Sequence, residues 1–123
     1  MKRSIMFAFV VTAVVSIGTV FAHDEVKGKP ISMTGTVVDT GCYMAHGAKG
    51  ADHVACATKC AKNGVPLAIV DDSGKLYMPI AAEHTNQNLK LMPFVEKKVK
   101  IDGTLIEKGG VSGIAIKTVV AAE

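Results

Sequence analysis

Five short segments with β-strand patterns, separated by turn residues and one helical segment, constrain the fold of this chain more than any other feature. Each segment either alternates apolar and polar side chains or runs apolar between Gly, Pro, Asp or Ser residues. A helical pattern separates the third segment from the fourth. The strand patterns cover residues 32–39, 66–70, 75–80, 99–105 and 111–120, and the helical pattern covers 83–92.

Three strands, a helix and two further strands is the element order of an OB-fold barrel. The sequence therefore predicts a mainly β protein, a five-stranded OB-like small barrel. A Cys/His-bearing helical insertion is expected between strands 1 and 2, and a short helix between strands 3 and 4. Thr85 is the expected cap of that short helix and Pro93 stops it. Three apolar residues are expected to pack inward there: Leu89, Phe94 and Val95.

Two glycine-bearing positions mark where the chain turns or where backbones meet. The residues at 71–74 read Asp-Asp-Ser-Gly, which predicts a hairpin turn between strands 2 and 3. Gly35 interrupts the first strand and predicts either a bulge or a close approach of another chain segment.

The N-terminus has the pattern of a cleaved signal peptide. Lys2 and Arg3 precede an apolar run, and residues 20–22 read Val-Phe-Ala, which fits the small-x-small cleavage rule. The run is shorter than the roughly 20 residues of a spanning helix, which disfavours an uncleaved membrane anchor. The predicted organisation is a signal peptide over 1–22, a flexible lead-in over 23–30 and an OB-like domain over 31–123. A periplasmic or secreted location follows, with no stable membrane insertion after cleavage.

Charge and composition exclude nucleic acid as a partner. Without Lys2 and Arg3, the 14 basic residues fall to 12 against 11 acids, and no arginine remains. OB-folds that bind single strands use stacked aromatic residues over a basic groove. The mature chain has three aromatic residues, Tyr43, Tyr77 and Phe94. No pattern for hydrolysis or phosphoryl transfer is present, so an enzyme is not expected.

All three cysteines and two of the four histidines lie within nineteen consecutive residues. If the second half of this cluster is helical with Asp52 as its N-cap, His53, Cys56 and Cys60 share one helix face. Cys42 and His46 are expected in a preceding loop that completes the set. The predicted metal ligands are Cys56, Cys60, His53, Cys42 and His46.

Soft thiolates with imidazole suit copper, especially Cu(I), ahead of zinc. Zinc accepts such a mixture tetrahedrally, but structural zinc sites usually carry their cysteines in closely spaced pairs, and this chain has one such pair. The predicted function is a transition-metal carrier, sensor or buffer, with a metal ion as ligand and a periplasmic metal or redox protein as partner.

Two alternatives use the same cysteines without a metal. A disulfide from Cys42 to Cys56 or to Cys60 would staple the loop of an interaction domain and stabilise it by roughly 3 kcal/mol. Export favours this reading because disulfides persist in oxidising compartments. A thiol–disulfide redox role is the other alternative, with a low-pKa thiol near a helix start, although no C-x-x-C motif is present.

A signature over residues 35–47, 53–60 and 64–67 can be written GxVVDxxCYxxHG…HxxCAxxC…GxPL. It resembles a group of small exported, largely uncharacterised bacterial proteins that carry this signature before an OB-like tail. The resemblance implies export and an OB-like fold over most of residues 33–120. It implies no reaction.

Overall fold

The computed structural model describes residues 25–123. The predicted signal peptide and the first two residues of the predicted lead-in lie outside these described residues. Five strands and three helices follow in the order β1, α1, α2, β2, β3, α3, β4, β5. The strands are β1 (Lys29–Asp39), β2 (Leu67–Val70), β3 (Leu76–Pro79), β4 (Lys98–Lys108) and β5 (Val111–Ala121). The helices are α1 (Thr40–His46), α2 (Val54–Lys62) and α3 (Asn88–Leu91), with 3-10 turns at Ala51–His53 and Met92–Phe94.

The strands close into a barrel in the order β1-β2-β3-β5-β4. β3 and β5 run parallel, and the other neighbours are antiparallel. This is the strand order of an OB-fold. The structure thus confirms the predicted five-stranded barrel, the helical insertion between strands 1 and 2, and the short helix between strands 3 and 4.

The barrel interior is filled by aliphatic side chains from alternate strand positions. Val37, Ile69, Val99, Ile101 and Ile114 are all buried in one cluster. Each such side chain stabilises the fold by about 1.5–3 kcal/mol relative to its exposed state. This closed core is the rigid support on which the cysteine-bearing segment stands.

Gly35 lies where the backbone of β1 comes close to Ile69 and Val70 of β2. A Cβ atom at this position would stand 2.7 Å from the carbonyl oxygen of Val70. The predicted close approach is therefore present, and it explains why a side chain is absent. The register irregularity of the sheet lies in another strand pair, β4 and β5, between Asp102 and Gly103.

β1 begins earlier than the sequence predicts. Lys29 and Pro30 already pair with Leu105 and Thr104 of β4. The last two residues of the predicted lead-in therefore belong to the sheet, because β4 is long enough to offer them partners.

The helix between β3 and β4 is shorter than predicted and begins at Asn88, so Thr85 is not its cap. Leu89 is 68% exposed, and the prediction that it packs inward is wrong, whereas Val95 is buried as predicted. Asn88 takes the inward position. Its side chain bonds to the backbone of the segment that leads into β2, and this bonding outweighs the apolar preference of Leu89.

The described part of the chain contains no candidate for a membrane-spanning helix. Within residues 25–123, no helix combines the length and the apolar character that a span requires.

Candidate metal site

The first half of the site is α1, which follows β1 without a break. Asp39, the last residue of β1, is the N-cap of α1, and its Oδ1 accepts a 2.8 Å hydrogen bond from the Cys42 backbone N–H. Gly47 ends the helix in the left-handed conformation, with its N–H bonded to the Tyr43 carbonyl at 2.8 Å. The predicted loop over Cys42 and His46 is thus a short helix, stabilised by caps at both ends.

The second half of the site is α2, which places Cys56 and Cys60 one helical turn apart. Ala57 and Ala61 are buried against the barrel core. Their small side chains let the helix lie close to the sheet, while Lys59 and Lys62 face solvent. Two cysteines one turn apart lie on the same side of a helix.

Asp52 is not the N-cap of this helix. It lies in the 3-10 turn Ala51–His53, and α2 begins after His53. Of the three residues expected on one helical stripe, Cys56 and Cys60 lie in α2, and His53 directly precedes it as its N-cap. His53 ends the 3-10 turn, and its ring contacts Asp39 at the end of β1.

The two helices bring the three cysteine sulfurs together. The Sγ atoms of Cys42, Cys56 and Cys60 all lie within 4.8 Å of one another. All three are free thiols, so neither predicted disulfide of Cys42 is present in the structure. Cys56 is exposed, and Cys42 and Cys60 are partly buried. The group opens to solvent through Cys56.

This spacing is close to that of a three-sulfur metal site. Three atoms no more than 4.8 Å apart surround a point at most about 2.8 Å from each, and metal–sulfur bonds of about 2.3 Å need only a small inward closure. Rotation of exposed or partly buried side chains supplies such a movement. The sulfur group can therefore hold a metal ion.

A second group lies beside the first and shares Cys42. The ligand atoms of Asp39, Cys42 and His53 also lie within 4.8 Å of one another. Asp39 is fully buried, and His53 has 16% of its side chain exposed. His53 Nε2 stands 2.9 Å from Asp39 Oδ2. One carboxylate thus contacts both helices, through the Cys42 backbone on α1 and through the His53 ring just before α2.

The charge state of Asp39 decides which nitrogen of His53 carries a proton. Burial alone would raise the pKa of Asp39, but its hydrogen bonds to Cys42 and His53 outweigh burial and lower the pKa. An ionised carboxylate only accepts hydrogen bonds, so His53 donates through Nε2. In the neutral ring the lone pair then lies on Nδ1.

Two thiols of the sulfur group, Cys42 and Cys60, hold their protons more tightly than an ordinary cysteine because their pKa values are raised. Burial raises the pKa of Cys42 to about 12, and its hydrogen bond with Cys56 and the charge of Asp39 act in the same direction. Burial also raises the pKa of Cys60, although its hydrogen bond with Cys42 opposes the shift. A reactive redox cysteine needs the opposite shift, a lowered pKa.

The predicted ligands are therefore divided. Cys42, Cys56 and Cys60 form one group, and His53 joins Asp39 and Cys42 instead of Cys56 and Cys60. His46 is exposed in the last turn of α1, and neither group contains it.

Sequence reasoning assigned no role to Asp39. A local signal was available, since Asp is a preferred N-cap and Asp39 directly precedes the segment that carries Cys42. Its contact with His53, fourteen residues further on, depends on the fold.

Glu96 anchors the loop between α1 and α2 to the barrel. Its Oε2 accepts a 2.7 Å hydrogen bond from the Gly50 backbone N–H. The residue is 7% exposed and adopts a positive φ of 59°. Burial raises the pKa of Glu96, and the bond from Gly50 opposes that shift. This contact fixes the start of the 3-10 turn that carries His53.

No protein-family model, curated protein or solved structure matches this chain. The likeness to small exported bacterial proteins stays an expectation from the signature.

Proposed function

We propose that this protein binds copper(I) through Cys42, Cys56 and Cys60 and acts in an exported compartment as a copper carrier or buffer. The proposal rests on one observation, the three free thiols whose sulfur atoms lie within 4.8 Å of one another. Three thiolates make a soft ligand set, and soft sulfur ligands select Cu(I). Zinc is the second choice, because structural zinc sites complete four protein ligands.

The position of the group supports exchange of the ion. Cys56 is exposed at the surface, so an incoming ligand from another molecule can reach the metal through it. Cys42 and Cys60 are partly buried and hold the ion from below. A carrier needs both properties, since an ion that is fully enclosed is released slowly.

The protonation of Cys42 and Cys60 is consistent with a site that releases protons when it binds a metal ion. The raised pKa values of Cys42 and Cys60 keep these thiols protonated near neutral pH when no ion is bound. Metal binding must displace those protons, because the thiolate is the ligand. A thiol–disulfide role needs an ionised attacking thiol, so the same shifts weigh against that alternative.

The test is an anaerobic titration of reduced protein spanning residues 23–123 with Cu(I), in competition with a coloured Cu(I) chelator. Stoichiometry is read by native mass spectrometry. We expect one ion per chain, and a loss of high-affinity binding when any one of Cys42, Cys56 and Cys60 is replaced by serine. His46→Gln is the matched control, and it should bind as the wild type does. Unchanged affinity in Cys56→Ser and Cys60→Ser would refute the proposed site.

The same mass spectra test the disulfide alternatives. Protein made in a periplasm should arrive with three free thiols or with metal. A two-dalton deficit, together with no uptake of copper or zinc after reduction, would favour the disulfide-stapled domain. A two-dalton deficit that forms and is lost again by exchange with a thiol partner would favour the thiol–disulfide redox protein.

A further inference from the structure

We infer that Asp39 determines the metal preference of the site by holding the His53 ring beside Cys42 and out of the group that Cys42 forms with Cys56 and Cys60. The inference rests on the proposed function and concerns the choice between copper(I) and zinc. Asp39 is then a positioning residue, since it acts through His53 and not on the ion.

The first step is the position of the His53 ring. Its bond to Asp39 is 2.9 Å long, and Asp39 is fully buried and also bonded to the Cys42 backbone. A carboxylate held at both oxygens cannot follow the ring if the ring turns away. The ring is therefore fixed beside Asp39, near Cys42, and it does not join the group of Cys56 and Cys60.

The second step is what a free His53 would do. One of its ring nitrogens already lies within 4.8 Å of the Cys42 Sγ atom. Release from Asp39 would let the ring turn toward the sulfur atoms and supply a fourth ligand. Three thiolates and one imidazole form a tetrahedral set that zinc accepts well, whereas three thiolates alone suit Cu(I) better.

The third step is a substitution that keeps one hydrogen bond of Asp39, the one from the Cys42 N–H, and removes the other, the one with His53. Serine is as good an N-cap as aspartate, so Asp39→Ser keeps an acceptor for the Cys42 N–H. Its side chain is too short to hold His53 as well. Asp39→Asn is the matched control, because the amide can bond to both partners and keep the ring in place.

The experiment measures zinc affinity by competition with a coloured zinc chelator, alongside visible spectra of the cobalt(II)-loaded proteins. We expect Asp39→Ser to bind zinc about tenfold to a hundredfold more tightly than the wild type, a change opposite in sign to the loss of about that size that follows removal of a carboxylate behind a histidine already bound to metal. Its cobalt spectrum should gain the signature of an imidazole ligand. Asp39→Asn should resemble the wild type, and the double variant Asp39→Ser/His53→Ala should lose the gain.

Two results would overturn the inference. Weaker zinc binding in Asp39→Ser would mean that Asp39 supports His53 as a ligand already present in the wild type. A gain that survives in the double variant would mean that looser sulfur atoms, not His53, cause the change. Circular dichroism checks that each variant folds.

A measurement on the wild type covers the case in which Asp39→Ser does not fold. The nitrogen-15 resonances of the His53 ring in zinc-loaded wild-type protein should be those of an imidazole without a bound metal. A zinc-shifted His53 resonance contradicts the inference. Failure of Cu(I) to bind the three cysteines would refute the proposed function instead, and the zinc and His53 measurements do not depend on that result.

Discussion

The Gly50 backbone N–H donates a 2.7 Å hydrogen bond to Glu96 Oε2, which ties the loop between α1 and α2 to the segment that enters β4. The other oxygen, Oε1, is buried without a hydrogen-bond partner among the described residues. Glu96 thus holds the loop in place while its own charge is poorly compensated.

Because the charge of Glu96 is poorly compensated, the effect of Glu96→Gln on stability should depend on pH. Burial raises the pKa of Glu96, so its contribution to stability is full below the unfolded pKa and is lost as the pH rises through the folded pKa. The variant keeps an acceptor for Gly50 and has no charge to bury. We expect its unfolding free energy, relative to wild type, to increase from pH 4 to pH 7 in urea titrations. If the difference in unfolding free energy between the variant and the wild type stayed constant over this pH range, the charge of Glu96 would be compensated in the folded protein.

Copper(I) affinity should rise with pH throughout the neutral range. The pKa of Cys42 is raised to about 12 and that of Cys60 is also raised, so both thiols are protonated there without metal. Each displaced proton makes the affinity increase by about tenfold per pH unit. Competition titrations between pH 6 and pH 8 should therefore give a slope of at least two. A slope near zero would mean that the thiols are already ionised.

Alkylation of Cys42 in the metal-free protein should be slow. At pH 7 a thiol with a pKa of about 12 has roughly three thousandfold less thiolate than an ordinary cysteine. A more basic thiolate is also more nucleophilic, so we expect a rate about a hundredfold lower. Iodoacetamide labelling followed by peptide mass spectrometry measures it, with the unfolded protein as reference. Fast labelling of Cys42 would instead support the redox alternative.

Asn88→Ala should destabilise the fold by about 2–4 kcal/mol, because it removes three hydrogen bonds to the backbone and takes away the Asn88 partner of the buried Leu67 N–H. Asn88 Oδ1 accepts from the Leu67 N–H at 2.8 Å, and Nδ2 donates to the Val65 carbonyl at 2.9 Å and to the Ala61 carbonyl at 3.2 Å. Urea unfolding measures the loss.

Leu89→Ala, one residue along, is the control for this change. Leu89 is 68% exposed, so its truncation should change the stability by no more than about 0.5 kcal/mol. Equal losses in the two variants would mean that the bonds of Asn88 contribute nothing beyond ordinary packing.

The barrel could be predicted from the sequence because its signals are local. Alternation along β4 and β5 and the turn at 71–74 each depend on neighbouring residues, and the order of elements then left few topologies. The clustering of the cysteines was visible for the same reason.

The details of the site could not be predicted because they depend on contacts between distant residues. Gly41 and Gly47 near Cys42 favour a loop by propensity, yet Asp39 and Gly47 cap a helix there. The direction of His53 follows from a 3-10 turn fixed by Glu96, forty-six residues away from Gly50. The inward packing predicted for Leu89 is wrong because the Asn88 side chain forms three hydrogen bonds to backbone groups that only the folded chain brings near it.

The two ends of the cysteine-bearing segment meet at the barrel. Asp39 pairs with Leu67 across β1 and β2, and Thr40 bonds to the Pro66 carbonyl through its backbone N–H and its hydroxyl, both at 3.0 Å. Everything between them leaves the sheet and returns to the same place. The segment is therefore portable: transplanted between adjacent antiparallel strands of another small barrel, together with Asp39 and equivalents of Asn88 and Glu96, it should carry its three thiols with it.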